Sequence, residues 1–87
     1  MGKRSRRNNG RVPASVWQQV LEQARWKWLH KQVRFFDEGY SHEWQQGQVM
    51  EVTNEGDVIV VYCPGPGVYS GMAVPVAYVE SVLTLVE

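Results

Sequence analysis

The sequence has few of the residues and segments that mark secreted, membrane-spanning or metal-cluster proteins. It contains one cysteine, Cys63, among 87 residues, so it can form neither an internal disulfide nor a cysteine-based metal cluster. We expect Cys63 to be a small buried apolar residue. The longest apolar run, residues 58–63, is six residues long, whereas a membrane-spanning helix needs about 20 and the apolar part of a signal peptide about 7 to 15. The sequence therefore predicts a cytoplasmic protein with no membrane partner.

Lysine and arginine are absent from the last 53 residues. All nine basic side chains lie in the first 34 residues beside one acid, Glu22, whereas the remaining 53 carry eight acids, so the two parts have charges of +8 and −8. Such asymmetry is typical of a basic segment that contacts nucleic acid or an acidic surface, joined to a part that does not. The alternative is that the two parts neutralise each other within one fold or between copies.

The first 11 residues have no apolar side chain apart from Met1. This segment, here called the basic arm, has no face to bury and is predicted to be disordered when alone. Arginine forks pair bidentately with phosphates, so we expect the basic arm to contact the nucleic acid backbone. Its five basic residues are Lys3, Arg4, Arg6, Arg7 and Arg11.

An amphipathic helix is predicted over residues 12–31. Pro13 suits its first position, and Ser15 with Gln18 has the spacing of a capping box. Steps of three and four residues place one apolar stripe on this helix, formed by Trp17, Val20, Leu21, Ala24 and Trp28. We expect the stripe to pack on its own barrel rather than on another copy.

Trp26 points away from that stripe, between Arg25 and Lys27. An exposed indole flanked by cations can stack on an unpaired base while the charges hold phosphate. We therefore add Arg25, Trp26 and Lys27 to the predicted nucleic-acid site. The alternative is that Trp26 packs on the rim of the barrel.

Residues 32–87 are predicted to form five short strands without a crossover helix, which favours a small antiparallel barrel. The fold class is thus mainly β with one N-terminal helix. Gly56 is expected to supply a positive φ in a hairpin turn at residues 54–57. Residues 58–63 are apolar on both faces, which favours a central strand covered on both sides. Residues 37–47 and 64–67 are predicted loops, and the predicted strands cover 33–36, 48–53, 58–63, 72–74 and 82–86.

The last strands resemble those of SH3 domains. Residues 71–80 are similar to the closing strand, one-turn 3₁₀ helix and final strand of that family, and residues 33–37 loosely match its first strand and acidic loop. The resemblance implies that Pro75 and Tyr78 belong to an aromatic groove for peptides. Tyr40 and Trp44, in the polar loop, are further candidate protein-binding residues, as part of such a groove or as a subunit contact. The alternative is that Trp44 closes one end of the barrel. The tryptophan that begins the central strand of such grooves is missing, because Asp57-Val58 stands there.

A second resemblance follows the order of motifs in the type II, plasmid-borne dihydrofolate reductases, which are SH3-like barrels assembled as tetramers around one pore. The matching motifs are Val33-Arg34, residues 44–49, Glu55-Gly56 and residues 75–77 with Glu80. The family's pore lysine falls here on Phe35, and residues 71–74 replace its pore-lining Val-Gln-Ile-Tyr. An anionic substrate and cofactor need positive potential, which the acidic barrel does not supply. The resemblance therefore implies the fold and no catalytic role.

Other candidate sites have little support in the sequence. His30, His42 and Cys63 lack the recurring spacing of metal ligands. The carboxylates at 37–38, 55 and 57 lie in predicted turns, where solvated acids are usual. We therefore expect no metal, no cofactor and no catalytic residue.

The sequence favours a non-enzymatic binding module of a bacterium, phage or mobile element. Its basic arm would contact DNA or RNA, and its acidic SH3-like barrel would contact a protein partner or another copy. One alternative is a diverged enzyme of the type II reductase kind. Another is a structural oligomer held by arm-to-barrel charge complementarity.

Overall fold

A computed structural model describes residues 13–86, so the basic arm lies outside the described residues. The elements in chain order are helix α1 (Ala14–Trp28), strands β1 (Gln32–Asp37), β2 (Glu43–Val52), β3 (Asp57–Gly65) and β4 (Val68–Pro75), a 3₁₀ turn (Val76–Tyr78), helix α2 (Val79–Val82) and strand β5 (Thr84–Leu85). In residues 13–86 there is no helix with the length and hydropathy needed to cross a membrane.

The five strands form one antiparallel sheet in the order β4-β3-β2-β1-β5, which hydrogen bonds do not close into a cylinder. The predicted class, mainly β with one N-terminal helix and five antiparallel strands, is confirmed. The middle of the sheet is β2 rather than β3, the strand that the sequence predicts to be central. A β-bulge between Val49 and Glu51 interrupts the long β2 and locally bends the strand.

The core lies between α1 and the inner face of the sheet. Alternate residues of the strands point into it, including Val33 and Phe35 of β1, and the ring of Phe35 meets that of Tyr62 edge-on with centroids 4.8 Å apart. From α1, three residues of the predicted stripe are buried: Leu21, Ala24 and Trp28. The helix therefore packs on its own sheet, as expected.

The prediction that β3 is covered on both faces is wrong. Val58, Val60 and Tyr62 are buried, but Val61 is 37% exposed on the other face. Cys63, predicted to be buried, is also exposed. It follows β3's alternation onto the outer face, where its Sγ lies 3.0 Å from the carbonyl of Gly65. The apolar run at residues 58–62 therefore lies on a strand with one buried face and one open face.

Several strand boundaries differ from the sequence prediction. Strand β4 spans Val68–Pro75, whereas the predicted strand covers residues 72–74. Residues 64–67 are predicted to be an unpaired loop, but β3 runs to Gly65, which pairs with Val68. Pro64 is tolerated because pairing with β2 ends before it and the register with β4 shifts there. Residues 43–47, predicted as loop, belong to β2 because they pair with β1. The predicted strand 82–86 is reduced to β5 because α2 includes Val82.

Helix α1 begins after Pro13, which is its N-cap, and no side chain caps its first turn. The capping box predicted from Ser15 and Gln18 is therefore absent. The helix ends at Trp28 because Leu29 is extended and His30 has a positive φ of 65°. Backbone hydrogen bonds of His30 and Lys31 to Val49 then lead the chain directly into the sheet.

Candidate functional site

Arg25 holds α1 against the β2–β3 turn. Its Nε and Nη2 donate to the carbonyl of Val52 at 3.3 and 3.1 Å, and Nη2 also donates to Oδ1 of Asn54 at 2.9 Å. The side chain is half-buried. The sequence predicts that Arg25 contacts phosphate, but most of its guanidinium already binds the protein, so its structural role is to attach the helix to the turn.

Trp26 and Lys27 lie on the outer side of α1 and differ in their surroundings. The indole of Trp26 is 84% exposed, so it does not pack on the barrel rim. It lies beside Gln19, Glu22 and Gln23 in a shallow groove on this helix. Lys27 forms an ion pair with Glu80 at 2.6 Å, and its Nζ lies 5.2 Å from the centroid of the Trp28 ring. Of the predicted Arg25-Trp26-Lys27 set, Trp26 is therefore the member most available to a ligand.

The four candidate protein-binding residues are all exposed but do not share one surface. Tyr40 and Trp44 lie at the β1–β2 turn. Pro75 pairs with Asp57, the first residue of β3, which lies at the other end of the sheet from Trp44. Tyr78 follows Pro75 in the 3₁₀ turn. The register therefore places the two pairs at opposite ends of the sheet rather than in one groove.

The outer face of β1 and β2 brings together six side chains that the sequence prediction does not group. Arg34 pairs with Gln46 and Phe36 with Trp44 across the two strands. The Phe36 and Trp44 rings meet edge-on at 5.8 Å, and the guanidinium carbon of Arg34 is 5.9 Å from the Trp44 centroid. We call this surface the β1–β2 platform; its members are Gln32, Arg34, Phe36, Trp44, Gln46 and Gln48. Period-two alternation from Val33 could have placed Arg34 and Phe36 outward, but the sequence contains no signal for their register with Trp44.

The turn next to the platform is fixed by Asp37. Its carboxylate accepts hydrogen bonds from the backbone N–H groups of Gly39, Tyr40 and Ser41 and from the Ser41 hydroxyl, at 3.1 to 3.2 Å. Desolvation raises the pKa of Asp37, but these hydrogen bonds together outweigh it and hold the pKa below its usual value. Asp37 is therefore a structural carboxylate that orders the turn carrying Tyr40.

Residues 13–86 contain no cluster of three or more histidine, cysteine or acidic side chains that could hold a metal ion. His30 and His42, considered as ligands from the sequence, both adopt positive φ angles, 65° and 56°. They lie in separate connections, His30 after α1 and His42 before β2.

The positions at which the resemblance to the type II reductases implies pore residues are divided between core and surface, because Gly71 and Ala73 are exposed. Phe35, at the position where the resemblance implies the pore lysine, is fully buried. Val74 is buried, and Met72 is half-buried against the core. Comparison of the chain with models of known families, with curated proteins and with solved structures found no match.

Proposed function

We propose that this protein is a non-enzymatic nucleic-acid-binding module whose basic arm holds the phosphate backbone. The supporting observation is the division of charge. The basic arm carries five cations, whereas residues 13–86 carry four basic and eight acidic side chains, a net charge of −4. Two of those four bases, Arg25 and Lys27, already bind protein groups. Because an acidic domain is repelled by phosphate, electrostatic affinity has to come mainly from the arm.

The proposal includes an SH3-like barrel that contacts a protein partner or another copy. The 3₁₀ turn between β4 and β5 supports the SH3-like assignment, because the SH3 resemblance implies a turn at this place. Exposed aromatic side chains at both ends of the sheet, including Tyr40, Tyr69 and Tyr78, support a protein contact. We place this activity in the cytoplasm of a bacterium or of a cell carrying a phage or mobile element.

The test replaces Lys3, Arg4, Arg6, Arg7 and Arg11 by glutamine in the full chain. Binding to labelled single-stranded and duplex DNA and RNA is then measured by fluorescence anisotropy at low salt. We expect affinity for all four probes to fall by at least a hundredfold, since five phosphate contacts are lost. Lys31→Gln, which removes one exposed cation from the folded part, is the matched control and should change affinity only slightly. Full affinity in the five-residue variant would exclude the basic arm as the binding element.

The same variant examines the structural alternative, in which the basic arm binds the acidic barrel of another copy. In that case the wild-type chain would sediment as an oligomer that dissociates at high salt, and the variant would be a monomer. On the binding-module account, the sedimentation of nucleic-acid-free protein is insensitive to these five substitutions.

The enzyme alternative predicts reduction of dihydrofolate with a nicotinamide cofactor. We expect no turnover, and the core positions of Phe35, Met72 and Val74 support this expectation. Measurable turnover that is lost on changing Met72 or Val74 would favour the reductase function over the binding module.

A further inference from the structure

The β1–β2 platform has a chemistry unlike that of the folded domain as a whole. Residues 13–86 carry twice as many acids as bases, but the six platform residues include one guanidinium, two aromatic rings, three amides and no carboxylate. The nearest buried acid, Asp37, uses its carboxylate within the adjacent turn. A negatively charged ligand would meet one guanidinium and no carboxylate on the platform itself, with the exposed Glu43 at its edge, directly before Trp44.

The two rings of the platform are held in place by the sheet. Phe36 and Trp44 are directly opposed across β1 and β2 and meet edge-on, an arrangement that fixes an aromatic pair. Trp44 is nevertheless 62% exposed and Phe36 43% exposed. A tryptophan supported on one side and open on the other offers a flat surface on which a planar ring can stack.

The polar neighbours of Trp44 suit a nucleotide. Arg34 lies over the Trp44 ring with its guanidinium carbon 5.9 Å from the centroid, so its charge is close to any phosphate bound beside the indole. Gln46 donates to Gln32 at 3.4 Å, a long hydrogen bond between two exposed side chains. Amide side chains carry both donors and acceptors, which the edges of unpaired bases require.

We propose that the β1–β2 platform binds unpaired bases of single-stranded nucleic acid, with a base stacked on Trp44, the adjoining phosphate near Arg34 and the base edge near the glutamine amides. The inference rests on the proposed function, because the basic arm would bring the nucleic acid to the protein. Bases of a duplex are already stacked on one another and cannot lie on a flat sheet surface. The arm therefore supplies affinity for any strand, and the platform adds a preference for single strands.

The test compares Trp44→Ala, Trp44→Phe and Arg34→Gln in the full chain. The probes are a labelled oligonucleotide of mixed sequence as single-stranded DNA, as single-stranded RNA and as duplex DNA. Trp44→Ala should weaken single-strand binding by roughly 5- to 150-fold and leave duplex binding unchanged. Trp44→Phe should retain part of the single-strand affinity, since it keeps an aromatic face. Arg34→Gln should reduce the single-strand salt slope by about 0.7.

Trp26→Ala is measured beside Trp44→Ala as the competing stacking site, because Trp26 is the other strongly exposed tryptophan of residues 13–86 and lies on α1. If it lowers single-strand affinity while Trp44→Ala does not, the stacking site is on the helix and the platform proposal is wrong. If Trp44→Ala changes the sedimentation of the protein but not its single-strand affinity, the platform joins protein copies and the proposal is also wrong. Loss of binding on neutralising the basic arm with no effect at Trp44 would overturn this inference alone, whereas a wild-type chain that binds no probe would overturn the proposed function as well.

Discussion

Gly56 is required for two separate reasons at the β2–β3 turn. Its φ of 95° lies in a region that residues with a Cβ rarely adopt. A Cβ at this position would also lie 2.6 Å from the ring of Trp17, whose Nε1 donates to the carbonyl of Asn54 in the same turn. The turn residues predict the positive φ, but the contact with Trp17 could not be predicted, because it depends on how α1 packs on the sheet.

Gly56→Ala should therefore destabilise the protein more than a glycine substitution that meets only one of these costs. Gly67 has a φ of 74°, and a Cβ added there would meet no other atom within 4 Å, so Gly67→Ala is the matched control. We expect Gly67→Ala to lower the free energy of unfolding by about 1 to 2 kcal/mol through backbone strain. Gly56→Ala should lower it by about 1 to 3 kcal/mol more, because the indole of Trp17 is displaced. Urea unfolding of the two variants measures the difference. Equal losses would show that Trp17 does not pack against the turn in solution.

Asp37 makes the free energy of unfolding depend on pH in the acid range. Its pKa is lowered in the folded state, so its ionised carboxylate stabilises the fold fully above the ordinary aspartate pKa of about 3.9. This contribution is lost as the pH falls through the lower, folded value. Asp37→Asn should therefore reduce stability at neutral pH and make the loss of stability below pH 4 less steep. Urea midpoints from pH 7 to pH 2 test this, with the exposed neighbour substitution Glu38→Gln as the control. Parallel pH profiles for wild type and Asp37→Asn would contradict the role of Asp37.

Helix α1 is the element that the sequence predicts best. Its periodicity identifies the buried residues Leu21, Ala24 and Trp28, because a helix repeats its contacts regardless of which partner it packs on. The strands are located less well at their ends. The polar composition of residues 37–47 predicts a loop that includes Trp44, but pairing with Phe36 makes Trp44 part of β2. Strand ends depend on a partner elsewhere in the chain, and local composition does not reveal that partner.

The two tryptophans at the end of α1 provide a matched test of its packing. Trp28 is 3% exposed and Trp26 is 84% exposed, although they are two residues apart. Trp28→Ala should cost about 3 to 5 kcal/mol through the cavity it leaves, and Trp26→Ala should change stability by no more than about 0.5 kcal/mol. Thermal unfolding at several protein concentrations gives both values. Because α1 packs on its own sheet, the wild-type melting temperature should not change with concentration. A marked rise with concentration would mean that copies of the protein share this interface.

At the scale of the whole molecule, the sequence predicts the class of fold and the separation of charge but not the candidate surfaces. The number of strands and their antiparallel character follow from short apolar runs separated by turns. The sheet order, the open outer face of β3 and the meeting of Arg34, Phe36 and Trp44 depend on long-range register. For the same reason the sequence does not reveal the hydrogen bonds of Arg25 to Val52 and Asn54, which span 27 and 29 residues.

The central claim is that the basic arm supplies the electrostatic affinity for nucleic acid, and the salt dependence of binding tests it most directly. The slope of log affinity against log salt is measured for the full chain and for the variant with all five arm cations replaced by glutamine. The account predicts that the slopes differ by about 3.5 for a single strand and about 4.5 for a duplex, because each phosphate contact releases about 0.7 or 0.9 counterion. Identical slopes for the two proteins would contradict it.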